Sequence, residues 1–212
     1  LELFASPDRE LSLSGSASVA SAGPLGGLAI NGKFNVDHAL FDMPEQSAPT
    51  LGDDVVIVRP DGTVRGEKQP TAEGSDKSIG PFAPRANIDI NLGNSFRFRG
   101  QGADLGLRGT ITAMSAPNLP LRAVGNVRVT EGSTYTAFGR KLGIENGFFT
   151  FNGPVANPGI NIPAMRRNQQ VEAGVQVTGT IQSPVAKLVS EPNVADNEKL
   201  SWLLFGHGTD QG

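Results

Sequence analysis

The 212-residue sequence has no cysteine, which rules out a disulfide framework, a thiolate zinc site, an iron–sulfur cluster and a thiol nucleophile. Two histidines, His38 and His207, are all that is available for imidazole chemistry, and they stand near opposite ends of the chain. One tryptophan and one tyrosine are too few for the two aromatic girdles of an outer-membrane barrel. No apolar run approaches the roughly 18 residues of a membrane-spanning helix. With 18 basic and 21 acidic residues the net charge is −3, so there is no broad cationic footprint for nucleic acid. What is plentiful is punctuation. The 27 glycines and 15 prolines exceed the roughly 12% these residues make up on average, so turns must be frequent.

Between the turns the dominant signal is alternation, in which successive side chains point to opposite faces of a strand. Leu11, Leu13, Ala17 and Val19 alternate with serines, and Leu28, Ile30, Phe34 and Val36 keep one parity. Ile88, Ile90 and Leu92 alternate with Asp89 and Asn91, and Phe96 and Phe98 with Arg97 and Arg99. Leu105, Leu107 and Ile111 follow, then Val127 and Val129, Phe149 and Phe151, and Ile160 and Ile162. Val175, Val177 and Ile181 close the series. Strands apolar on one side and polar on the other belong to antiparallel sheets with one wet face. The breakers Gly100-Gln101-Gly102, Gly132-Ser133 and Gly153-Pro154 are short, as antiparallel neighbours allow.

This pattern divides the chain into N-terminal strands over 1–58, a mobile loop over 59–85, a main sheet over 86–192, and a short amphipathic helix with a tail over 193–212. In the last segment Asp196 is placed to cap a helix starting near Asn197. Leu200, Leu203 and Leu204 form its apolar stripe, and Gly206 and Gly208 end it. A sequence opening at Leu1 without a charged-then-apolar leader reads as a piece of a longer chain.

The apolar strand faces must be covered, because burying each large side chain is worth roughly 1.5–3 kcal/mol. Two architectures satisfy this: a filled β-sandwich, or a curled, largely antiparallel sheet with an apolar interior. The slim aliphatic interior favours the curled sheet. Its lining would be Ile88, Ile90, Leu92, Phe96, Phe98, Leu105, Leu107, Val127, Val129, Phe149, Phe151, Ile160, Ile162, Val175, Val177 and Ile181.

Catalytic readings are weaker. Asp53-Asp54, adjacent before a strand, point to opposite sides and suit a solvated turn rather than acid–base work. Arg97, Arg99 and Arg108 read as a solvated face, Arg166-Arg167 as a loop pair, and His38 as a polar strand-end histidine with no metal or triad partner evident. The Gly-x-Gly pieces lack the helix that phosphate binding requires. No enzyme, cofactor or metal site is expected.

From Ala123 onward the sequence resembles a known family. Gly125-Asn126-Val127-Arg128-Val129, Phe148-Phe149-Thr150-Phe151-Asn152-Gly153, Asn157-Pro158-Gly159-Ile160 and Glu198-Lys199-Leu200-Ser201-Trp202-Leu203-Leu204-Phe205-Gly206 are similar to the conserved domain of the TamB family. A fainter likeness covers Asp37 to Pro44 and Leu51 to Val58. The resemblance implies an all-β half-pipe (a β-taco), in the periplasmic portion of a protein anchored in the inner membrane of Gram-negative bacteria. It also implies a TamA-like outer-membrane barrel as partner, and phospholipid or nascent outer-membrane protein as cargo. The alternative is a structural scaffold or tether with a filled core and no cargo.

Overall fold

The computed structural model describes residues 2–6, 9–21, 27–43 and 84–211. The strand expected over 51–58, the Asp53-Asp54 pair, and the 59–85 loop as far as residue 83 lie outside them. Among the described residues the chain forms one sheet of thirteen strands and a short helix. The strands are β1 Glu2–Ser6, β2 Arg9–Ser21, β3 Leu28–Met43, β4 Arg85–Asn91, β5 Phe96–Gly100, β6 Ala103–Ser115 and β7 Arg122–Val129. Then come β8 Thr134–Ala137, β9 Arg140–Ile144, β10 Phe148–Pro154, β11 Gly159–Arg166, β12 Glu172–Gly179 and β13 Pro184–Glu191. The helix, α1, is Asp196–Leu204.

The thirteen strands occupy ten positions across the sheet, because three pairs continue one another. β4 and β5 both run beside β3 and β6. β7 and β8 are successive halves of one arm of a long hairpin, and β9 and β10 are halves of the other. The order β1-β2-β3-β4-β6-β7-β10-β11-β12-β13 leaves β1 and β13 at the two edges, so the sheet is open rather than a barrel. Among the described residues it is also single. Nearly all pairings are antiparallel, but β3 runs parallel to β4 and β5. The connection over residues 44–84 makes this possible, since a parallel crossover needs a dozen residues or more.

The gaps inside the composite strands line up. Asp37 is an extra residue in β3 opposite Ser12 and Leu13. Leu92–Ser95, Thr130–Ser133 and Glu145–Gly147 likewise outnumber the residues they face. Backbone hydrogen bonds stitch them into one row: Ala39 N–H to Ser95 O (2.9 Å), Leu92 N–H to Gly109 O (2.9 Å), Thr130 N–H to Gly106 O (2.8 Å) and Val129 N–H to Gly147 O (2.8 Å). Each bulge bends its strand and increases local twist, so a row of them makes a crease. Gly132-Ser133 therefore bulges the chain without reversing it. Gly153-Pro154 likewise ends β10 still paired to Ala123 and Arg122, rather than breaking it earlier.

Two glycines beside the crease add curvature. Gly109 has φ 143° and Gly125 φ 140°, a region open only to glycine, and a Cβ on Gly125 would sit 2.4 Å from Thr110 O. Rolling of the sheet is visible in burial. α1 packs on β12 and β13. Yet Leu105 on β6 and Val129 on β7 are only 6% and 4% exposed. In a flat sheet, residues that far from the helix would face water.

The helix itself begins differently from the sequence reading. Ala195 occupies the cap position, with no side-chain cap hydrogen bond, and Asp196 is the first helical residue. There Asp196 pairs with Lys199 (3.3 Å), one turn on, and still faces the positive helix end. Gly206, at φ 82°, stops the helix as its position predicts.

Substituting Gly125→Val should destabilise the fold by about 1–3 kcal/mol through backbone strain alone, with the Thr110 O clash adding to it. Urea unfolding monitored by far-UV circular dichroism checks this, and a stability equal to the parent's would show that the curvature does not depend on that glycine.

Candidate functional site: the apolar face of the rolled sheet

Strand register brings the sequence-identified apolar residues onto one face, in rows crossing several strands. Phe98 pairs with Leu105. Phe96, Leu107 and Val129 form the next row, and Val127, Phe149 and Ile160 another. Ile90, Ile111, Gly125 and Phe151 follow, then Ile88, Ala113, Ala123 and Gly153. Toward the β13 edge, Ile162 pairs with Val177, and Ala164 with Val175 and Ile144. Leu92 is buried within the crease beside Val36, Ala39 and Val127. Ile181 lies past the end of β12, half exposed, its N–H bonded to Pro158 O (3.1 Å).

Filling is uneven along this face. Around α1, Leu105, Val129, Leu142, Ile144, Val175, Trp202 and Leu203 make a packed core. A second cluster at the crease joins Val36, Ala39, Leu92 and Val127 to Leu11, Leu13, Phe41, Ile90, Phe96 and Phe151, and Phe41 stacks on Phe96 with ring centroids 5.6 Å apart. Beyond the crease, Ile88 and Ile160 belong to neither cluster and are half-buried. At the far end Leu28 is exposed, and Val19, on the same face by register, is 61% exposed. The apolar face is thus plugged at one end and open at the other.

The plug is latched by residues that the sequence did not single out for this role. Arg166, the last residue of β11, donates through its guanidinium to Leu203 O (2.9 Å) and Trp202 O (3.3 Å). Arg140 Nε donates to Leu204 O (2.8 Å). These carbonyls belong to the last turn of α1, where no intrahelical partner exists and the helix dipole favours positive charge. Arg166 therefore closes the helix end rather than forming a loop pair with Arg167, which binds Glu172 and Glu145 (2.8 Å to the latter). The pattern of Arg at a strand end facing a helix C-terminus is invisible without the fold.

The opposite face is polar. Arg97 Nε lies 2.7 Å from Asp104 Oδ1, with Arg99 at 3.6 Å. His38 sits 3.5 Å from Glu10, both side chains being about half exposed. At the crease this face opens a depression of about 1110 Å³ lined by Asn94, Arg108, Arg128, Glu131, Glu145 and Phe148. Arg108 binds Asn94 there. Among the described residues no group of three or more His, Asp or Glu side chains is placed to hold a metal ion.

The sheet is thus rolled, plugged at one end by a helix and apolar inside. The sequence matches the TamB C-terminal domain family over residues 1–212. The chain belongs to that family. It is 27% identical over 208 residues to the translocation and assembly module subunit TamB of Haemophilus influenzae (strain ATCC 51907 / DSM 11121 / KW20 / Rd), an alignment covering 95% of this chain. The chain spans about 15% of that relative's length. Membership of that family places this domain in the periplasm. The half-pipe inferred from the resemblance agrees with the single curled sheet of this TamB-family domain.

Two substitutions test the energetics. Arg166→Ala leaves two helix-end carbonyls without their charged donor. The amides of α1 should exchange with solvent about tenfold faster while those of β6 and β7 keep their protection. Equal acceleration everywhere would mean that the latch is not local. For Asp104, the hydrogen bond from Arg97 holds the carboxyl below its ordinary value. Such a carboxylate favours the fold above its unfolded-state pKa near 4, and that contribution fades as pH falls through the lowered folded value. Both partners are about two-fifths exposed, so Asp104→Asn should cost less than about 1 kcal/mol at pH 7. Urea titrations at descending pH should show that difference closing.

Proposed function

We propose that this chain shields apolar cargo in the groove of its rolled sheet, as part of a protein anchored in the inner membrane. The cargo would be phospholipid moving between inner and outer membranes, nascent outer-membrane protein, or both, handled together with a TamA-like outer-membrane barrel. The observation that carries this reading is the continuation of the apolar rows past the packed core. Ile88, Ile160, Val19 and Leu28 extend the same face where no side chain of α1 reaches. An apolar lining rewards contact area without fixing orientation, which suits acyl chains that must slide. The name of the Haemophilus relative, a translocation and assembly module subunit, supports the pairing with an outer-membrane assembly partner.

A second reading has its own observation. The two packed clusters already fill the face around α1 and along the crease, as a scaffold without cargo would. Photo-crosslinking side chains at Ile88 and at Leu105 separate the two. A conduit open beyond the crease should yield lipid adducts at Ile88 and only intramolecular adducts at the buried Leu105. Absence of lipid and of unfolded-protein adducts at Ile88, in cell envelopes where the chain is folded, would favour the scaffold.

A further inference from the structure

We infer that the end of the sheet that carries α1 is a docking tip for an anionic phospholipid surface, independent of what the groove carries. The β8–β9 connection is a two-residue turn, Phe138-Gly139, closed by the pairing of Ala137 with Arg140. Both central residues have positive φ, 52° and 70°, the type I′ geometry that strongly favours Asn-Gly. A bulky aromatic in that position is strained, and left-handed backbone costs a non-glycine residue stability. Phe138 receives no packing in return, since it is 68% exposed. An uncompensated strained residue at an exposed turn points to a role outside the fold.

The same end carries a second exposed aromatic. Phe205, just past α1, is 64% exposed and stacks on His207 with centroids 5.9 Å apart. The bond from Arg140 Nε to Leu204 O ties the β8–β9 turn to this helix end, so both aromatics belong to one tip. The cations of the turn are Arg140 and Lys141, both exposed, and Lys141 makes no ion pair among the described residues. On the helix side Glu198 accepts a hydrogen bond from Thr209 N–H, and Asp210 follows in the tail beyond α1. This leaves a tip of two exposed aromatic side chains beside Lys141, which makes no ion pair among the described residues, and Arg140, which binds the helix end. That combination fits the headgroup and acyl boundary of an anionic bilayer better than an apolar protein groove.

The test uses the 212-residue chain and vesicles of phosphatidylethanolamine with phosphatidylglycerol, against phosphatidylcholine vesicles, in flotation assays. The chain should bind the anionic vesicles, and less so as salt rises. Phe138→Asn should weaken binding about tenfold, the low end of what burying one phenylalanine contributes, while its thermal midpoint stays equal to or above the parent's. Phe205→Ala should weaken binding similarly. No binding to anionic vesicles, or binding indifferent to both substitutions, would overturn the inference. So would a Phe138→Asn variant that loses thermal stability along with binding, because the phenylalanine would then serve the fold. Loss of binding to an outer-membrane barrel with vesicle binding unchanged would assign the tip to a protein partner instead. None of these results alters the lipid-adduct outcome at Ile88, so the tip and the groove fail separately.

Discussion

A ladder of antiparallel strands twists by itself, and here surplus residues add a bend to that twist. Asp37, Leu92–Ser95, Thr130–Ser133 and Glu145–Gly147 each place more residues on one strand than on its neighbour. They fall on adjacent positions, so their kinks add rather than cancel. Gly109 and Gly125 supply a conformation at the same crease that no side chain tolerates. Everything else depends on this curvature. It brings Leu105, Leu142, Val175 and Leu203 into one core, and turns a surface that would be wet into an interior.

The interior has a direction. At one end α1 closes it, its last carbonyls held by Arg140 and Arg166 so that the helix terminus is satisfied while its apolar side faces the sheet. At the other end the face runs through the half-buried Ile88 to Val19 and Leu28, which are exposed. The face thus buries some of its apolar residues with its own atoms and leaves others exposed. The polar face carries the ion pairs that keep a long ladder soluble, and contributes little stability for each exposed pair.

Much of this was legible residue by residue. The alternation of Ile88 and Ile90 with Asp89 needs only the two-residue period of a strand, and register put Ile90 opposite Ile111, in one row with Phe151, as that parity requires. Gly206 as a helix stop is similarly local. Other features were not legible, because they depend on what lies opposite. Gly132-Ser133 has the composition of a reversing turn, yet a partner strand on each side converts it into a bulge. Asp196 has the chemistry of a cap, but the chain path places Ala195 there. Arg166 looks like any surface arginine until the end of α1 arrives above it. The parallel join of β3 to β4 follows from where a long connection returns, which no strand pattern encodes.

The sequence alone therefore determined the class: one-faced strands throughout, one terminal helix, no thiol or clustered-imidazole chemistry, and the motifs of a family. These are properties of short windows and of composition, where side-chain identity and backbone period suffice. Tertiary structure decided the curl, the plugged and open ends, and which apolar residues are core and which are lining. Those outcomes arise from register between strands distant in sequence and from competition for the same interior volume, and both exist only once the whole sheet has rolled around it.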